Sequence, residues 1–75
     1  MFNRWPIYER VLVNLVDGSA VEGILIARHG PLLVVADATL HSVANEPADM
    51  DGDVYIERDR VLYLQTSPPP HVPPG

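Results

Sequence analysis

Residues 11–37 read VLVNLVDGSAVEGILIARHGPLLVVAD, which parses into three strands separated by two tight turns. Val11, Val13 and Leu15 fall on one side of a strand by the two-residue period, with Asn14 on the other, the pattern of a half-buried strand. Asp17-Gly18-Ser19 supplies turn chemistry, because Gly accepts positive φ at no steric cost and Asp can bond its own downstream backbone. A second strand follows, with Val21, Gly23, Leu25 and Ala27 facing inward and Glu22, Ile24 and Ile26 facing outward. A glycine inside a strand marks strong bending or close approach of another backbone, and Gly23 has that position. His29-Gly30-Pro31 breaks the pattern again. Leu32 to Ala36 is then an unbroken apolar run, expected of a strand covered on both faces or of the central bent strand of a small barrel.

The whole chain sets tight limits on what this stretch can belong to. Its 75 residues leave room for one small domain. The proline-rich end reduces the folding part to roughly sixty residues, a size that buries only about 60% of its extended-chain surface. There is no cysteine, so neither a disulfide nor a thiolate zinc site can supplement a marginal core. Oligomerisation is the remaining common route to stability. A formal charge of -5 argues against general affinity for phosphate backbones but leaves room for a locally basic site, and all five basic residues are Arg.

The N-terminus, MFNRWPIYER, lacks an apolar run long enough for a signal peptide or a membrane span, so a cytoplasmic product with no membrane partner is expected. Asn3 is placed to cap a short helical turn through Tyr8, with Pro6 tolerated in the first turn. Trp5, Ile7 and Tyr8 then have apolar surface to place. They either lid the open end of a barrel or, for Trp5 and Tyr8, offer a stacking platform for a base.

Ala38 to Asp53 is polar and irregular, a loop preceded by a strand edge that continues through His41. Asp49, Asp51 and Asp53 alternate as at the start of a calcium loop, but an EF-hand would need Gly where Val54 stands and Glu where Arg60 stands. His29, His41 and His71 have no ligand spacing. No metal or other cofactor is therefore expected. Val54 to Arg58 and Val61 to Gln65 form the last pair of strands, divided at Asp59-Arg60 by a tight or 3₁₀ turn. From Ser67 to Gly75 the proline content excludes sheet, which divides the chain into a folded domain, 1–66, and an expected disordered, polyproline-like tail, 67–75. Pro70 to Pro73 fits a PxxP pattern without a flanking Arg.

A short N-terminal helix, five strands and a variable loop between the third and fourth resemble the Sm-like family, which includes Sm proteins and the bacterial RNA chaperone Hfq. The resemblance covers about Pro6 to Thr66. It rests on V-x-V-x-L-x-D-G-S-x-x-x-G-x-L at Val11 to Leu25, the L-V-V-A-D ending at Asp37, and I-x-x-x-x-V-L-Y-L at Ile56 to Leu64. It implies a mostly β fold, a five-stranded, strongly bent open barrel of the SH3-type small-barrel class. Other small barrels of the SH3 or OB type share the same periodicity.

The resemblance also implies assembly. In Sm-like proteins the fourth strand of one subunit pairs with the fifth of the next, which would put Tyr55, Ile56, Leu62 and Tyr63 at a seam of a homo-hexamer or homo-heptamer. Head-to-tail pairing of this kind closes into a ring or runs on as a filament. Family members that hold uridine use an Asp and an Asn in the loop after the second strand and an Arg-Gly in the loop after the fourth. Here those loops read Arg28-His29-Gly30-Pro31 and Glu57-Arg58-Asp59-Arg60, so the standard uridine pocket is not encoded. Two functional readings stand side by side. One is a non-enzymatic ring acting in assembly or protein interaction. The other is a ring that binds single-stranded RNA with altered base preference, through Arg28, His29, Arg58 and Arg60 gathered at the pore. Against the second, the Arg side chains could instead pair with Glu57, Asp59 and neighbouring acids as a rim network. Catalysis is not expected, because Ser19, Ser42 and Ser67 have no recognisable base.

Overall fold

A computed structural model describes residues 5–66 of the chain. The proposed cap at Asn3 and the tail 67–75 lie outside them. Six strands follow one another: β1 (Glu9–Leu15), β2 (Ala20–His29), β3 (Leu32–His41), β4 (Ala48–Asp49), β5 (Val54–Glu57) and β6 (Val61–Thr66), with a 3₁₀ turn at Arg58–Arg60 joining the last two. All pairings are antiparallel. β6 pairs β1, β1 pairs β2 and β2 pairs β3, while the far side of β3 takes β5 along Leu32 to Val35 and β4 at Thr39 and Leu40.

The alternation in the sequence decides which faces meet. Val11 and Val13 of β1, Val21 and Leu25 of β2, Leu33, Val35 and Ala38 of β3 and Ile56 of β5 are buried together, and Trp5, Leu40, Met50 and Leu64 pack around them. Bending is concentrated where β2 and β3 lose register, at Gly23 and again between Leu25 and Ala27. Opposite Gly23, Asp37 adopts a φ of 51° and the backbone of β3 closes in. A Cβ at position 23 would lie 2.6 Å from the Ala36 carbonyl oxygen. The glycine is therefore there for close approach, as its place inside a strand implies.

Two expectations need correction. The helix over Asn3 to Tyr8 is absent from the described residues, where a turn stands instead: the Glu9 N–H donates to the Pro6 carbonyl at 3.2 Å and Tyr8 has a φ of 66°. A positive φ at the third turn position ends any helical progression, and the Tyr8 N–H is committed to the Leu25 carbonyl across the sheet. The strand count is six rather than five. Past the bulge at Asp37 the outer edge of β3 would be bare, and the returning loop covers it: Met50 N–H donates to the Ala38 carbonyl at 2.8 Å, and the Thr39 hydroxyl donates to Asp49 Oδ1 at 3.1 Å. The 3₁₀ turn between the last strands is as the sequence predicts.

This topology leaves the outer edges of β5 and β6 without a partner strand among the described residues.

Candidate nucleic-acid interface and subunit edges

The β2–β3 connection is a two-residue hairpin turn, since His29 pairs with Leu32. Gly30 has a φ of 56° at the first central position and Pro31 fills the second, the arrangement of a II′ turn. The tip is tied to the 3₁₀ turn by the Arg58 N–H, which donates to the Pro31 carbonyl at 2.7 Å. Two loops far apart in sequence thus become one unit, which brings Arg28 and Arg58 together.

Both guanidiniums lie over the indole of Trp5, with Arg28 Cζ 5.7 Å and Arg58 Cζ 5.5 Å from the ring centroid. Both Arg side chains are exposed, whereas Trp5 is half-buried and packs on the core. His29 is exposed at the end of β2. Arg60 goes elsewhere. Its carbonyl accepts from the Val16 N–H at 2.9 Å, and its charge acts on Asp17 in the β1–β2 turn. The Asp17 carboxyl is held below its ordinary value chiefly by the Ser19 hydroxyl, then by the Ser19 N–H, with Arg60 a minor contributor.

The rim network of Arg with Glu57 and Asp59 does not form. Among the described residues the ion pairs are Arg10 with Glu22 at 3.7 Å and His41 with Glu22 at 2.9 Å, and Glu22 lies toward the end of β2 away from Arg28. Among those same residues no polar side chain is buried, and Ser19 donates its hydroxyl to Asp17 at 2.6 Å in an exposed turn. No group of three His, Asp or Glu side chains converges among them.

No protein-family model and no curated protein matches the sequence. Solved structures do. A heptameric archaeal Sm protein is 25% identical, with a TM-score of 0.71 over 84% of this chain and 91% of that one. The P. aerophilum SmAP1 heptamer is 25% identical, with a TM-score of 0.73 over 85% of each chain. The Sm protein of Pyrococcus abyssii, solved in complex with a uridine heptamer, is 27% identical, with a TM-score of 0.72 over 83% of this chain and 87% of that one. This chain has the Sm-like fold. A chain of the NatC complex bound to CoA has the same fold at 18% identity, with a TM-score of 0.74 over 89% of this chain and 90% of that one.

In this Sm-like sheet the seam residues separate into two groups. Tyr55, Leu62 and Tyr63 are exposed at 60%, 63% and 53%, whereas Ile56 is 6% exposed and belongs to the core. Ile56 can therefore serve a seam only through its main chain. An open groove of about 950 Å³ runs along β6 and is lined by its Val61 to Leu64 and by Trp5, Ile7 and Arg58. Trp5 was legible as a residue with apolar surface to place. Its meeting with both loop Arg residues was not.

Proposed function

We propose that this chain is a non-enzymatic, ring-forming Sm-like module that acts in assembly or protein interaction in the cytoplasm, as a homo-hexamer or homo-heptamer whose uridine pocket is not the standard one. The observation that carries this reading is the pair of unpaired edges. β5 and β6 stand at opposite ends of one sheet, each with exposed aromatic or aliphatic side chains beside it. Unpaired edges invite addition of a strand, and β5 of one copy laid against β6 of the next satisfies both edges and covers Tyr55, Leu62 and Tyr63. Heptameric relatives and the occurrence of the fold in the NatC complex support assembly as the shared theme. Light scattering behind size-exclusion chromatography tests it: a six- or seven-fold species is expected, and a monomer at micromolar concentration refutes the ring.

A second reading is carried by a different observation, the two loop guanidiniums that have no carboxylate partner among the described residues. In it the ring binds single-stranded RNA at the face holding Arg28 and Arg58, with His29 beside them and Arg60 set apart. The uridine heptamer held by the Pyrococcus relative supports the ligand class. Titration of the ring with single-stranded RNA at rising salt tests it, since phosphate contacts weaken as counterions compete.

A further inference from the structure

We infer that Trp5, Arg28 and Arg58 form a phosphate clamp that holds a single-stranded polynucleotide by its backbone and is indifferent to its bases. The inference rests on the RNA reading of the loop Arg residues and names what that site recognises. A free Trp5 ring would stack a base, but this one already carries two cations, each within the roughly 6 Å over which the ring quadrupole attracts them. A half-buried indole that packs on the core and already faces two cations is engaged before any base arrives. It holds the guanidiniums in place, and because both lie over one centroid their carbons are no more than about 11 Å apart. The scaffold beneath is fixed twice, by the packing of Trp5 on the core and by the bond from Arg58 N–H to Pro31. Trp5 is thus a positioning residue, and Arg28 and Arg58 are the contacting ones.

The chemistry of the ligand follows from what the guanidiniums lack. Each is planar, permanently charged and suited to bidentate bonding of phosphate oxygens, and neither has a carboxylate partner among the described residues. A polynucleotide offers the same anion at every residue. It therefore suits a cluster that a ring repeats once per subunit, whereas a base pocket would need a free aromatic face and donors aimed at base edges.

The test uses the full chain, sized by light scattering, and three fluorescent oligomers of equal length: oligouridine, oligoadenosine and an abasic deoxyribose-phosphate strand. Polyglutamate serves as competitor. The three oligomers are expected to bind with affinities within a few-fold of one another, with log affinity falling against log salt by about 0.7 for each phosphate engaged. Arg28→Gln and Arg58→Gln, at exposed positions, should weaken all three alike and lower that slope. Trp5→Leu should do the same, while Trp5→Phe, which keeps an aromatic face, should recover binding. Trp5 is the sole tryptophan, so its emission should respond to the abasic strand as much as to oligouridine. An abasic strand that fails to bind while oligouridine binds overturns the clamp in favour of a base pocket. Equal competition by polyglutamate overturns it in favour of an acidic protein partner. A ring that binds none of the strands overturns the clamp and the RNA reading together and leaves the assembly reading intact. A monomer that still binds all three removes the ring and keeps the clamp.

Discussion

Replacing Gly23 with Ala probes the bend on which the sheet depends. The added Cβ would lie 2.6 Å from the Ala36 carbonyl oxygen, 2.6 Å from Val35 Cγ1 and 3.2 Å from Ala38 Cα. Relaxed carbon contacts sit at about 3.5–4.0 Å, so two overlaps approach an ångström. Overpacking costs about 1–3 kcal/mol, and because one partner is main chain within a bulge the upper half of that range applies. Loss of glycine's excess unfolded entropy offsets about 0.5–1 kcal/mol, leaving a net destabilisation of about 2 kcal/mol. A domain of roughly sixty residues is stable by only about 3–9 kcal/mol. At about 4–8 °C per kcal/mol, Tm should fall by about 8–16 °C. Far-UV circular dichroism at fixed protein concentration reads it, the concentration being held because subunit association contributes to Tm. Gly18→Ala is the control. Nothing lies within 4 Å of its Cβ, but Gly18 has a φ of +94°, so only the backbone term of about 1–2 kcal/mol operates. A Gly23→Ala protein melting within about 2 °C of the parent would refute the close-approach account of the bend.

Leu33→Ala removes a fully buried side chain from β3, which is paired on both sides, and should cost about 2–5 kcal/mol, enough to move the urea midpoint strongly or to unfold the chain. A small shift would place Leu33 outside the core. Leu62→Asp puts a charge on the β6 edge, and the expected result is a monomer in light scattering with an unchanged circular dichroism spectrum. A persistent ring would move the seam away from β6. Asp17 titrates below its ordinary value because of Ser19, so its ionised form stabilises the fold above the unfolded value of 3.8, and that contribution disappears as pH falls through the folded pKa. The Tm gap between the parent and Asp17→Ala should therefore be steady at neutral pH and close in acid below 3.8. A gap that persists in strong acid would assign the effect to turn geometry rather than to charge.

The legible parts of this fold are those governed by local rules. β1, β2 and the start of β3 follow from two-residue alternation punctuated by Asp17-Gly18 and Gly30-Pro31, and the place of Gly23 within a strand marked the bend. The missed parts depend on tertiary contact. Nothing local announces that Tyr8 adopts a positive φ, because its N–H finds the Leu25 carbonyl only once β2 is in place. β4 is two residues long and exists because the bulge at Asp37 leaves an edge for it to cover. Ile56 is a different case: in the alternation of Val54 and Ile56 against Tyr55 and Glu57 its side chain faces the core while Tyr55 faces out. Arg58 and Arg60, both expected at the pore, part company. In a 3₁₀ turn of three residues per turn, positions two apart point in different directions, so one reaches Trp5 and the other the β1–β2 turn.

The ten-residue strands of the β2–β3 hairpin spread the charges of this acidic chain over two ends. Arg28 lies at the tip, where Arg58 joins it through Pro31. At the other end, beyond the bulge at Asp37, lie Glu46, Asp49 and Asp51, with Asp49 bonded to Thr39 of the same strand. Strands of ten residues at about 3.3 Å per residue separate the two ends by more than the Debye length of about 8 Å at physiological salt. Those acids therefore do little at the tip, where the carboxylates at hand are Glu57, paired with Leu32, and Asp59, neither of them within ion-pair reach of Arg28 or Arg58. Formation of a ring would align every subunit's tip on one face and every acidic end on the other, so the net charge of -5 per chain describes the whole without describing either face. The clamp therefore rests on the geometry of two guanidiniums over one ring rather than on a surplus of charge, because Glu57 and Asp59 share the tip with them.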